Sequence, residues 1–227
     1  MGHDHTPVRC IIFGAGGHAA VVIEALRAYY LAIELIVLDP TRLGETVLDI
    51  EVSGGDELVA SFYGIGFKHF AVGVGSVGTP TTRTALYRRG IKAGLSPLSI
   101  VHPSANVSPS ATLGMGVQIL AGSIVGPRAV VGNNVIINHR AVVDHDCIIG
   151  DHSHIAIGAT LSGSIRVGEG VHVGAGATIL QSLEIQRLSI VGAGAVVTKS
   201  VKAGETVVGV PAAVWLRNAA VQRVGES

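Results

Sequence analysis

From Leu95 to Val197 every sixth residue is Leu, Ile or Val, eighteen times in phase without a miss. If about one residue in three were of these types, such a run would arise on the order of once in 10⁸ chance trials. A fixed short period of this kind specifies a solenoid. Six is neither the helical period nor the strand period, but three strand steps make six. With the aliphatic position called i, position i+4 is mostly small, as at Ala129, Ala141, Cys147, Ala159, Ala177 and Ala195. Position i+1 is often Gly or Asn, as at Gly114, Gly126, Gly132, Asn138, Gly150, Gly168, Gly174 and Gly192. Gly and Asn tolerate the positive φ of a sharp corner. Each hexad therefore reads as a short strand plus a corner at i+1, with i and i+4 inward. Three hexads close a triangular coil of eighteen residues, and coils stack about 4.8 Å apart. The expected fold is a left-handed parallel β-helix of nearly six coils, without inserted loops.

The rest of the chain divides around that solenoid. Val8 to Phe13 reads as a buried strand, followed at once by Gly14-Ala15-Gly16-Gly17-His18-Ala19. Residues 20–30 have helical spacing, Ile33 to Leu38 is a second strand, and Asp39 follows it. This β–turn–α–β unit has a Gly-rich first turn whose amides and helix N-terminus attract phosphate. Asp39 stands where a ribose-binding acid belongs. Residues 41–68 read as an irregular link with a helix at 55–63. Residues 70–74 form a third strand and 79–90 a second helix. The expected organisation is an α/β Rossmann-like domain over 1–92, an all-β left-handed parallel β-helix over 93–200, and a cap over 201–227. That cap contains a short helix at 212–224.

Composition narrows the function. Aromatics are 4% of residues and glycines number 31, which suits a narrow coil filled by Val, Ile and Ala. Sixteen basic residues balance sixteen acidic ones, so neither nucleic acid nor an anionic membrane surface is an expected partner. The first nine residues are polar, no apolar run reaches eighteen, and the two cysteines read as reduced thiols. A cytoplasmic location is expected.

Five of the ten histidines lie between positions 139 and 172. By phase, His139, His145, His152, His154 and His172 point away from the coil axis. His145 is flanked by Asp144 and Asp146, and an acid beside a His fixes its tautomer and raises its basicity. Cys147 falls at i+4 and reads as core filler. The His spacings do not match an intersubunit zinc site, so no metal is expected. Gly163 is His145 plus eighteen, one rung above it. A base beside an unobstructed amide is what acyl transfer requires, because the amide supports the oxyanion.

Over nearly its full length the chain resembles the NeuD/PglD-type sugar acyltransferases. The resemblance rests on Gly14-Ala15-Gly16-Gly17-His18, Asp39, Arg83 with Tyr87, the block from Val143 to Asp151 with His154 and Ile155, and Gly209-Val210-Pro211-Ala212. It implies that His145 is the general base, Asp146 its acidic partner, His154 a contact to the acetyl-CoA thioester, and Gly163 the oxyanion donor. It further implies that Gly14, Gly16, Gly17, His18 and Asp39 bind a nucleotide-linked amino sugar. Asn138 and His139 add substrate contacts. Members are homotrimers with CoA held between neighbouring β-helices. The expected reaction is direct transfer of acetyl from acetyl-CoA to the 4-amino group of a nucleotide-linked 4-amino-4,6-dideoxy sugar. The alternatives are O-acetylation of sialic acid, a dinucleotide-dependent oxidoreductase resting on the Gly turn and Asp39, and a non-catalytic scaffold.

Overall fold

The computed structural model describes residues 7–215. The chain opens with β1 (Val8–Phe13), α1 (Gly17–Tyr29) and β2 (Ile33–Leu38), then β3 (Thr46–Val47) and β4 (Ile50–Gly54). The short helix α2 (Val59–Gly64), β5 (His69–Val72), α3 (Thr81–Lys92) and β6 (Ser96–Pro97) complete this part. The six strands form one sheet in the order β3-β4-β2-β1-β5-β6, parallel except for the β3/β4 hairpin. β1 is central, and its last four residues are wholly buried, as expected of a strand covered on both faces. The link over 41–68 contains the anticipated helix, but β4 within it is a strand that the sequence did not announce. It is short, polar on one face and ends in Gly54, so its alternation is weak.

The remainder is a three-sided parallel β-helix of two-residue strands. One face runs from Ile100–Val101 through Gln118–Ile119, Ile136–Ile137, His154–Ile155 and His172–Val173 to Ile190–Val191. The second runs from Asn106–Val107 to Val196–Val197 and the third from Thr112–Leu113 to Glu184–Ile185. Neighbours on each face differ by eighteen residues, as in the pairing of Ile136 with His154 and Val143 with Leu161. Positions i and i+4 fill the axis, with Ile137, Ala141, Val143, Cys147, Ile149 and Leu161 at most 1% exposed. Burying each Leu, Ile or Val contributes about 1.5–3 kcal/mol, which is what holds the coils together.

Three details differ from expectation. Leu95 keeps the beat but packs in the α/β core beside Phe70 and Tyr87, and the coil begins at Ile100–Val101. The left-handed corner falls at i+3, not i+1: Arg128, Asn134, Arg140, Asp146, His152, Ser164, Ser182 and Leu188 all have φ between 54° and 62°. The i+1 glycines answer to close stacking. A Cβ on Gly150 would lie 2.6 Å from the backbone of Gly168 and Glu169 in the next coil. Finally, no helix begins at Ala212. Ala213–Val214 pairs antiparallel with Thr206–Val208, covering the edge of the last coil, and residues 216–227 lie outside the described part.

The α/β part sits on the first face. Ile100, Leu120 and Ile136 of the coil share a core with Val22, Ala25 and Leu26 of α1. On the other two faces the equivalent outward residues are bare, with Ile124, Val130 and Ile148 each about 40% exposed.

Candidate active site

The corner between the second and third faces carries His145. Val143 turns inward and the left-handed residue Asp146 turns the chain, so the ring between them projects outward, half exposed. Its Nδ1 lies 2.8 Å from Oδ2 of Asp146. A carboxylate only accepts, so Nδ1 carries the hydrogen and Nε2 is the free, basic nitrogen. Asp146 also receives two bonds of 2.7 Å from Arg128, Nε to Oδ1 and Nη2 to Oδ2. Those bonds, followed by that from His145, hold the Asp146 carboxyl well below the usual carboxylate range. Asp144 accepts a 2.7 Å bond from the His145 amide and braces the backbone.

Gly163 stands one coil on, directly against the ring. A Cβ placed there would lie 2.5 Å from Nε2 of His145. No bond engages the Gly163 amide among the described residues. The corner therefore sets a basic ring nitrogen against a glycine whose amide makes no hydrogen bond among the described residues.

His154 has a different setting from the thioester contact expected of it. It lies on the first face, 6% exposed, beneath the loop after β5. Its Nδ1 donates to the Ser76 carbonyl at 2.7 Å, and its Nε2 accepts from Asn138 Nδ2 at 3.0 Å. Both ring nitrogens are occupied, and burial pushes its pKa down to about 3, so the ring is neutral. Within one chain it is a strut between the two parts, and it does not meet His145. Asn138 Oδ1 in turn accepts from the His139 amide, and His139 lines a cavity of about 220 Å³ with Glu24 and His102.

The Gly-rich turn faces the same seam. Gly14 adopts φ 98° and abuts Val74, whereas Gly16 and Gly17 have open space where a side chain would be. Asp39 accepts from the Ala15 amide at 3.0 Å and from the amide and hydroxyl of Thr41. Burial raises its pKa, but those three bonds outweigh it and the net shift is downward. Asp39 thus fixes the turn. His18 Nε2 donates to Gln118 of the coil at 2.8 Å, and burial lowers its pKa to about 4. Sequence reasoning passed over Gln118, Ser76 and Arg128. The first two are visible only once the domains dock; Arg128 is Asp146 minus eighteen and was open to the same arithmetic that found Gly163. Among the described residues no group of three His, Cys, Asp or Glu side chains is placed to hold a metal ion.

The PglD N-terminal domain family matches residues 9–89. Among solved structures, PerB from Caulobacter crescentus, in complex with CoA and GDP-perosamine, is 36% identical, with 91% of this chain and 96% of that one covered at a TM-score of 0.84. The chain belongs to the NeuD/PglD-type sugar acyltransferases. The acetyltransferase domain of PglB from Neisseria gonorrhoeae, in complex with acetyl coenzyme A, is 33% identical over 92% of this chain and all of that one, at a TM-score of 0.85. A histidine-to-alanine mutant of the Caulobacter enzyme, GDP-perosamine N-acetyl transferase, matches at 35% identity, 91% and 96% coverage and a TM-score of 0.85. Curated protein sequences return no match. The three-sided coil of this acyltransferase is thus the left-handed β-helix of its relatives, joined to their Rossmann-like domain. Membership sets aside the dinucleotide-dependent oxidoreductase.

Proposed function

We propose that this acyltransferase moves acetyl from acetyl-CoA to the 4-amino group of a nucleotide-linked 4-amino-4,6-dideoxy sugar, with His145 as general base. The observation that carries the reading is the close packing of the His145 ring on Gly163, whose amide makes no hydrogen bond among the described residues, with Nδ1 tied to Asp146. The neutral amine attacks the thioester carbonyl carbon and its N–H proton passes to Nε2. The resulting oxyanion accepts a hydrogen bond from the Gly163 amide. Collapse expels the CoA thiolate, which takes up a proton, and leaves the acetamido sugar. No acyl-enzyme is needed, and both cysteine side chains are buried. The GDP-perosamine N-acetyl transferase relative, in complex with CoA and GDP-perosamine, supports an amine acceptor.

The Gly16–Gly17 turn at the N-terminus of α1 suits the diphosphate, because nothing lies within 4 Å of where a side chain would stand at either glycine and a ligand's approach to the backbone is open there. His18 and His139 border the same seam and would contact the sugar. The bare aliphatic residues Ile124, Val130 and Ile148 support a homotrimer packed through the second and third faces, which would bring acetyl-CoA against His145 from a neighbouring coil.

The test is a thiol-release assay with acetyl-CoA and UDP-, GDP- and dTDP-linked 4-amino-4,6-dideoxy sugars. His145→Ala lowers turnover by roughly 10²–10⁴ while the fold and oligomer persist. Near-normal turnover in that variant rejects the base. Preferential acetylation of free sialic acid would replace the proposed acceptor.

A further inference from the structure

The corner that bears His145 is a ladder built from one phase of the repeat. Arg128, Asp146, Ser164 and Ser182 follow at intervals of eighteen, with φ of 58°, 59°, 61° and 61°. The rung below is Ser110, whose Oγ accepts from the Arg128 amide at 3.1 Å. Because the rungs share one backbone conformation and one coil separation, the Arg128 side chain lies along the same edge as Asp146. Its fork meets both carboxylate oxygens at 2.7 Å, while Oδ2 also receives His145 Nδ1–H. Arg128, Asp146 and His145 form one connected chain of hydrogen bonds, ending at the basic Nε2.

We propose that Arg128 is a positioning residue for the acetyl transfer: its fork locks the Asp146 carboxylate against His145 Nδ1 and so holds Nε2 in place beside Gly163. The inference rests on the reading of His145 as general base. Two features argue against a merely structural ion pair. Arg128 and Asp146 are 66% and 36% exposed, and such pairs contribute only about 0–1 kcal/mol to stability. A bidentate fork, however, fixes the plane of the carboxylate, which a single ammonium does not.

The experiment compares the full chain with Arg128→Met, which keeps the side-chain length without the charge, Arg128→Lys and His145→Ala. kcat, and KM for acetyl-CoA and amino sugar, are measured for each. In Arg128→Met kcat falls by roughly tenfold or more, as for a misplaced reacting group, with KM for acetyl-CoA held within about twofold of the full chain. Arg128→Lys restores only part of kcat, because the fork is gone. An unchanged kcat overturns the proposal. So does a tenfold rise in KM for acetyl-CoA with kcat unchanged, which would assign Arg128 to the phosphates of CoA. If His145→Ala is inactive and Arg128→Met keeps its kcat, this inference alone fails. If His145→Ala stays active, the base reading fails and takes this inference with it. Arg128→Met also unfolds within a few degrees of the full chain, since the pair is exposed.

Discussion

Replacing Gly163 by alanine adds one methyl group between two coils, at the point where the imidazole of His145 lies. The backbone there is not left-handed, so alanine is not strained by its φ. The new Cβ would, however, sit 2.5 Å from Nε2, against 3.4–4 Å for ordinary van der Waals contact. The imidazole is half exposed, so the clash is relieved by its moving about 1 Å towards solvent and straining its bond to Asp146. Stability should change by less than about 1 kcal/mol, with the lost chain freedom of glycine offsetting part of any strain. Catalysis should suffer far more. A misplacement of about 1 Å at a reacting group lowers rate on the order of 10²-fold. The peptide N–H survives the substitution, so the loss reports the position of the proposed base more than that of the proposed oxyanion donor. The assay is CoA release at saturating acetyl-CoA and amino sugar, with thermal unfolding of the same preparation. A Gly163→Ala protein with kcat within threefold of the parent would refute the placement of Nε2 against Gly163. A protein that unfolds many degrees earlier would refute the claim that only the base moves.

The neighbouring glycine class behaves oppositely. In Gly150→Ala the new Cβ meets the backbone of Gly168 and Glu169 at 2.6 Å, where nothing can swing away. A loss of roughly 2 kcal/mol or more is expected, and an unfolding temperature within one degree of the parent would contradict it. The buried histidines make stability fall in acid. Burial lowers His154 to about 3 and His18 to about 4, below the value of about 6.5 in an unfolded chain. Between pH 6.5 and 4 the unfolded chain therefore binds protons that the native state refuses. Stability should drop as pH falls, by about 2 kcal/mol for each histidine at pH 5. Equal urea midpoints at pH 7 and pH 5 would exclude this.

Much of the candidate site was legible because the coil is strictly periodic. Once the beat is eighteen, the neighbour of any residue one rung on is known by addition. That places Gly163 over His145 and His172 over His154 from numbering alone, and the paired registers of the coil agree. The same sum, taken downward from Asp146, leads to Arg128. The corner itself was misassigned because two different demands on glycine look alike in a sequence. At i+1 glycine is needed for close stacking, with no positive φ; at i+3 the backbone is left-handed, and arginine, asparagine, aspartate and serine accept it. The strand at Ile50–Gly54 was hidden because five half-polar residues carry too little alternation to stand out from a loop.

What the linear order of residues determined was the coil, its inward and outward phases, and the α/β unit ahead of it, since each follows from short-range periodicity or from a turn within a few residues. What only the tertiary structure decided was which outward positions remain open. His145 and His154 are both outward by phase. The α/β domain rests on one of three faces, so His154 is sealed under Ser76 with both nitrogens engaged, while His145 on another edge keeps Nε2 free. Docking depends on contacts between residues some eighty positions apart, and no local pattern encodes which side of a threefold coil will receive them.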